Sequence, residues 1–338
     1  MADLRRPGWP RPAAGAKLGF FMYLTNGLSD RFGGLSAPIQ GALLMTAAAL
    51  CFSVMNIAIR LAAVELDPLQ VAFFRNLFAL MLMLPWLLKV GAAGLKTSRL
   101  KIHLWRSVLG LTAMLCWFYA IALLPLAEAV SLNFTVPLFA TIGAALILRE
   151  QVRARRWTAT LVGFAGVLII LRPGFTELTP AMALPMIAAL FMAVTSLMVK
   201  SLSRTESPAA IVLYVNLLLT PLSLVPALFV WRWPGLAEWP SLIAVGVLAA
   251  LAHSLLTRAY TKADASAVMP FDYARLPFIA LIAYVAFGEV PDIWVWLGGG
   301  IIAGSAIYIA RREAQVARER PLGRAVRGAA AQAPRARL

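Results

Sequence analysis

The chain has 338 residues, of which 61% are hydrophobic and 14% charged, against about 45–50% and about 25% in ordinary globular proteins. So few charges cannot cover a water-soluble protein of this length, whereas a bilayer removes that requirement. The net charge of +16 does not point to nucleic acid, because the basic residues sit in short loops and at the two ends, with no basic face interleaved with aromatics.

Residues 1–36 are rich in Arg, Pro and Gly. Their one apolar stretch, Leu18–Leu24, at best equals the shortest signal-peptide core of about 7 residues and precedes no convincing cleavage site, so a flexible basic tail is expected. A crossing helix needs about 20 apolar residues to span about 30 Å of hydrocarbon. Ten such helices are expected near 39–63, 68–89, 103–124, 126–148, 156–171, 180–200, 208–230, 241–260, 265–287 and 293–311. Pro68, Pro125, Pro180, Pro208, Pro240 and Pro291 mark starts of spans, where a proline forfeits no intrahelical hydrogen bond. Residues 313–338 are Arg- and Ala-rich and bury too little apolar area to fold alone.

Loop charges set the expected orientation. Of the 31 Lys and Arg residues, all but Arg60, Arg75, Arg172, Arg232 and Arg275 fall in the tails or in loops that alternate helices bring to one side. By the positive-inside rule that side is cytoplasmic, with both termini. The opposite loops carry Glu65, Asp67, Glu128, Glu177, Glu238, Glu289 and Asp292. Trp231, Trp233 and Trp239 share one of these loops, as an interfacial aromatic belt would.

The two halves repeat each other. Asn56–Arg60 falls on Ser196–Lys200, Asp67-Pro68 on Ser207-Pro208, Phe74-Arg75-Asn76 on Tyr214-Val215-Asn216, and Pro137 on Pro277, all at one offset; Arg149-Glu150 matches Gly288-Glu289 with a slip of one. Five helices per half is an odd number, so the second copy must enter the membrane inverted. The expected fold is all-α and integral to the membrane, two inverted five-helix repeats (37–172 and 173–312) around a central cavity. Such repeats mark secondary transporters, with the solute bound near mid-membrane between the copies.

Both halves also end alike. Ala120 to Glu150 leads through Pro137 to Arg149-Glu150, then Trp157, Gly163 and Gly166; Ala259-Tyr260 leads through Pro277 to Gly288-Glu289, then Trp294 and Gly304. In these features the chain resembles the drug/metabolite transporter superfamily, specifically its EamA-type members. Arg149 stands where a glycine is usual. The resemblance implies ten helices, cytoplasmic termini in a bacterial-type inner membrane, and import or export of a small metabolite, amino-acid and aromatic-metabolite carriers being the most similar group. Riboflavin and nucleoside-type compounds are among the family's solutes and form the alternative.

Ionisable groups at membrane depth cost about 2.5–3.5 kcal/mol on insertion scales and so face cavities or partners. Arg75 lies within the second expected span; Asp272 and Arg275, three apart in the ninth, share a helix face. They either neutralise each other in the scaffold or offer a zwitterion an acid and a base. Asn76 and Asn216, related by the repeat, either bond helices together or line the cavity. His253 is a candidate proton carrier. Trp117, Tyr214 and Tyr273 either pack or stack on a flat solute. These nine residues are the candidate solute site, and an exporter of amino acids, aromatic ones favoured, is the main expectation. Cys51 and Cys116 belong to no CxxC pair, and His103 and His253 are the only histidines, so neither metal nor cofactor is expected. An enzyme is disfavoured because no cytoplasmic loop pairs two acids. A channel is disfavoured because it would use a pore ring from an oligomer. The expected assembly is a monomer, with Gly300 and Gly304 as a close-packing or dimer face.

Overall fold

The computed structural model describes residues 37–90, 99–146, 154–172, 179–202, 208–262 and 268–309, together with positions 35, 97, 206 and 311. The two tails and the basic segment at 149–153 lie outside the described residues. The helices are α1 Ala37–Ala62, α2 Pro68–Val90, α3 Leu100–Leu123, α4 Leu126–Asn133, α5 Val136–Leu146, α6 Ala154–Leu171, α7 Ala183–Leu202, α8 Pro208–Phe229, α9 Trp239–Lys262 and α10 Arg275–Phe287, followed by α11 Ile293–Ile309. Short 3-10 turns, Pro180–Met182 and Met269–Ala274, lead into α7 and α10.

Among the described residues these helices make ten spans, because α4 and α5 are two pieces of one crossing. Ile39–Ala62, Leu100–Leu123, Leu126–Gly143, Pro180–Val199 and Trp239–Tyr260 are long and apolar enough to cross a bilayer, and shorter apolar helices fill most of the rest. The spans are apolar all round, as helices buried in lipid and in each other must be. Asp67 fixes the start of α2, its Oδ1 accepting from Leu69 N at 2.9 Å.

Packing repeats in pairs. α1 lies along α9, and its counterpart α7 lies along α3. α2 meets α9 as α8 meets α3, and α1 meets α10 as α7 meets α5. Exchanging the two halves maps each of these contacts onto another, as an inverted repeat requires. The fourth and ninth spans are both broken at the matching place. The fourth turns at Phe134 and Thr135 before Pro137, and the ninth changes from 3-10 to α at Arg275 before Pro277. The ninth span was expected from 265 as a helix made irregular by its two prolines. Pro270 and Pro277 lack the donors a continuous helix needs, and the tighter turn is the result.

Of the three tryptophans expected in a surface belt, only Trp233 stands out, at 75% exposed. Trp231 lies 5.8 Å from both Phe73 and Phe74, and Trp239 lies edge-on to Phe74. They pack this end of α2 against the start of α9.

The glycines of α11 divide differently from expectation. Gly300 and Gly304 have open space where a Cβ would sit. The close approach runs instead through Gly166 of α6 and Gly298 of α11. A Cβ on Gly166 would lie 2.7 Å from Gly298 O, and one on Gly298 would lie 2.5 Å from Gly166 O. Backbone meets backbone there, and neither chain can move aside. Gly298→Ala is therefore expected to destabilise by about 1–3 kcal/mol through overpacking, and Gly300→Ala to be neutral or slightly stabilising through helix propensity. Thermal unfolding in detergent checks both; equal melting temperatures for the two variants would contradict the packing.

Candidate functional site

The end of the bundle that carries the acidic loops is tied shut by ion pairs between the halves. Gly288, with φ 70° at the C-terminus of α10, turns the chain in the left-handed conformation that glycine adopts without strain. Glu289 then faces the end of α1. Arg60 Nη1 lies 2.6 Å from Glu289 Oε1 and also donates to Leu124 O at 2.9 Å. Glu289 Oε2 accepts from Leu126 N at 2.9 Å. One arginine–glutamate pair thus joins α1, the α3–α4 turn and the end of α10. Arg172 and Asp292, 2.5 Å apart, tie the end of α6 to the start of α11. Arg232 reaches Glu65 at 3.2 Å and Glu238 at 3.3 Å. Tyr119 OH donates to Asp67 Oδ1 at 2.8 Å. Among these residues lies a cavity of about 200 Å³, lined in part by Glu128, Arg172, Glu289 and Asp292.

A second polar cluster lies in the interior where the two broken spans meet. Phe134, at the break of the fourth span, and Tyr273, in the 3-10 turn of the ninth, stand edge to face with centroids 4.7 Å apart. Arg275 Nη2 bonds Asp272 Oδ1 at 2.6 Å, and its guanidinium lies 4.5 Å over the Phe52 ring of α1. Ser53 Oγ, on the same helix, donates to the Arg275 carbonyl at 3.3 Å. His253 of α9 meets Phe52 edge-on at 5.2 Å, and both Arg75 and Arg275 act on it electrostatically. His253 is nevertheless exposed. Tyr260 lies within electrostatic range of Asp272 and Arg275.

From α2, Arg75 Nη1 donates to Asn76 Oδ1 at 2.8 Å. Asn76 is buried and donates to Ser223 Oγ of α8 at 3.1 Å and to Met114 Sδ of α3 at 3.7 Å. A bridge to two neighbours is the scaffold alternative for this residue, and it also anchors the arginine beside it.

The structure therefore gathers Arg75, Asn76, His253, Asp272, Tyr273 and Arg275 into one connected region. Trp117, buried, follows Met114 by one turn of α3 and joins the same core. Asn216 lies one turn before Thr220, whose hydroxyl reaches Asn216 O and Asn76 O. Tyr214 stands apart, with its ring stacked on buried His103 at 4.5 Å. Sequence reading missed Phe52, Phe134 and Tyr260, since single aromatics in apolar runs carry no signal of which face they occupy. Among the described residues no group of His, Cys, Asp and Glu is arranged to hold a metal ion.

A solved crystal structure shares this fold, with a TM-score of 0.56 at 20% identity, over 80% of this chain and 98% of that one. The EamA-like transporter family model matches twice, over residues 39–172 and 179–311. The chain belongs to the EamA-like transporter family. This EamA protein is 41% identical to a riboflavin transporter of Vibrio cholerae serotype O1, over 83% of this chain and 96% of that protein. It is 32% identical to an S-adenosylmethionine uptake transporter of Rickettsia bellii, over 72% and 84%. It is 31% identical to the pseudopaline exporter CntI of Pseudomonas aeruginosa, over 80% and 96%.

The acid–base pair of this EamA transporter is testable by a double-mutant cycle. Asp272 is 31% and Arg275 18% exposed, so leaving one charge alone is expected to cost about 1–2 kcal/mol, below the fully buried range. Asp272→Asn and Arg275→Gln each lower the melting temperature, and the double variant recovers it. Flux into liposomes separates scaffold from cavity: we expect the double variant to fold and not to transport. Full transport by the double variant would leave the pair a structural role alone.

Proposed function

We propose that this transporter moves riboflavin, or a closely related flavin, across the cytoplasmic membrane, with uptake as its direction. The observation that carries the reading is the 41% identity to the Vibrio cholerae riboflavin transporter over 96% of that protein. Proteins named riboflavin transporters in Rhizobium johnstonii and Brucella anthropi, 35% and 34% identical, support it. The interior chemistry is compatible. Phe52, Phe134 and Tyr273 border the region where the broken spans meet, and aromatic rings suit a flat tricyclic solute. Arg75 supplies N–H donors for its ring carbonyls. Asp272 and the Tyr260 and Tyr273 hydroxyls suit its polyol chain.

The expectation of amino-acid export gives way here. It relied on Asp272 taking an ammonium and an arginine, Arg75 or Arg275, a carboxylate. Asp272 is bonded to Arg275 at 2.6 Å, so its charge is already balanced and gives an ammonium little to pair with. None of the relatives named above is an amino-acid exporter. Uptake of S-adenosylmethionine is the second reading, favoured by the Rickettsia relatives. The cationic character of the cavity weighs against a solute carrying a sulfonium and an ammonium.

Labelled riboflavin should enter proteoliposomes saturably and show counterflow against unlabelled riboflavin. Flux of phenylalanine or tryptophan with none of riboflavin would reverse the reading. Orientation has its own test, in a chain whose Cys51 and Cys116 are replaced by Ser. Cysteines at positions 65 and 289 should label from outside the cell with an impermeant reagent, and one at position 101 only after permeabilisation. Labelling of all three from one side would contradict the inverted arrangement.

A further inference from the structure

Arg75 has no carboxylate partner among the described residues. Its one hydrogen bond runs from Nη1 to the neutral amide of Asn76, and no acidic group acts on its charge. Arg275 is bonded to Asp272. Among the described residues this cluster thus holds two guanidinium groups and one carboxylate, leaving a net positive charge beside His253, on which both arginines act. Nor is the rest of the Arg75 head sealed in. Arg275 Nε is buried without a partner, whereas no nitrogen of Arg75 is both buried and unbonded. An arginine carries five N–H donors, and one of them is bonded to Asn76. The repeat makes the same point: Val215 is the counterpart of Arg75, while asparagine follows in both halves. The shared architecture needs the asparagine and not the charge.

We propose that Arg75 is the charge selector of the central cavity. It admits neutral solutes rich in acceptor oxygens, and anionic ones, and it turns away cations. The choice of a neutral flavin as the admitted solute rests on the function proposed above; the exclusion of cations rests on the unpaired guanidinium alone. A unit charge within several ångströms, at an effective dielectric constant of about 20–40, changes the local concentration of a monovalent ion by about tenfold. The effect has opposite sign for anions and cations, so their ratio reports it most sensitively.

The experiment has two arms, both on the full-length chain in nanodiscs. In the first, riboflavin binding is read by quenching of flavin fluorescence, with S-adenosylmethionine as a cationic competitor. Riboflavin binds the wild type, a hundredfold excess of S-adenosylmethionine does not displace it, and Arg75→Gln weakens binding about tenfold. The second arm needs no solute. A reporter thiol is placed at the cavity by His253→Cys, in a chain carrying Cys51→Ser and Cys116→Ser. Its modification rates are measured with sulfonatoethyl methanethiosulfonate, an anion, and trimethylammonioethyl methanethiosulfonate, a cation. The anion-to-cation rate ratio falls at least about tenfold on Arg75→Gln and is kept by Arg75→Lys, which retains charge without the fork. Arg75→Met is a second neutral variant, and thermal unfolding confirms that each variant compared is folded. Failure of the wild type to bind riboflavin overturns the flavin reading and leaves the selector to be judged by the rate ratio. An unchanged ratio in a folded neutral variant overturns the selector, as does displacement of riboflavin by S-adenosylmethionine. A thiol at position 253 that neither reagent reaches overturns the solvent-accessible cavity on which the proposal stands.

Discussion

Hydrocarbon offers no partner for a backbone amide or carbonyl, so a membrane span is helical unless protein or cavity water meets the groups that a break exposes. Two spans here are broken, at Phe134–Thr135 and across Met269–Ala274, and both breaks lie inside the bundle. The Thr135 hydroxyl returns to Leu132 O at 2.7 Å, and Phe134 is buried. Tyr273 stands against Phe134. The place where backbone departs from helix is therefore also the place where polar side chains gather. The same constraint acts elsewhere on the hydroxyls within spans: those of Ser53, Ser107 and Thr141 bond back to the carbonyl four residues earlier, which keeps polar groups satisfied without a neighbour.

The interior charges follow from that arrangement. An arginine deep in a bundle is costly, yet Arg275 is met by Asp272 and by the face of Phe52, a ring that favours a cation. Among the described residues Arg75 is met by an amide. The two arginines are near enough to act on one histidine and are balanced by a single carboxylate. At the acidic end the charges match more fully: Arg60, Arg172 and Arg232 each face a carboxylate. Ion pairs of such exposure contribute about 0–1 kcal/mol apiece, so their effect on overall stability is small. Their position is what matters, since they join ends of helices from opposite halves.

Much of the architecture was legible because bilayers impose a simple code. Span positions, the proline starts and the duplicated Pro137 and Pro277 came through within a few residues. Arg75, Asn76, Asp272 and Arg275 were singled out by their type, because an ionisable or amide side chain at membrane depth carries a cost that announces it. Tyr214 misled: an aromatic in an apolar run gives no clue to its rotation about the helix axis, and it stacks on His103. Gly300 and Gly304 were expected to serve close packing or a dimer face, whereas the close contact of α11 with α6 runs through Gly298 and Gly166, since small-residue spacing reveals a possible contact face and not which neighbour arrives. The solute was the least legible feature. Asp272 and Arg275 were open to two readings, a neutralised pair or a zwitterion site, and only their 2.6 Å bond favours the first.

The paired packing, in which α1 lies on α9 as α7 lies on α3, bears on energetics beyond the single conformation described. When two copies of one motif exchange roles, the conformations open to either side use corresponding contacts and have similar free energies. A modest binding difference then suffices to shift their populations, since each 1.4 kcal/mol is about a tenfold change. The protein becomes a nearly level seesaw. In a scaffold of that kind direction is left to the solute gradient, and net flow follows whichever compartment removes the solute faster.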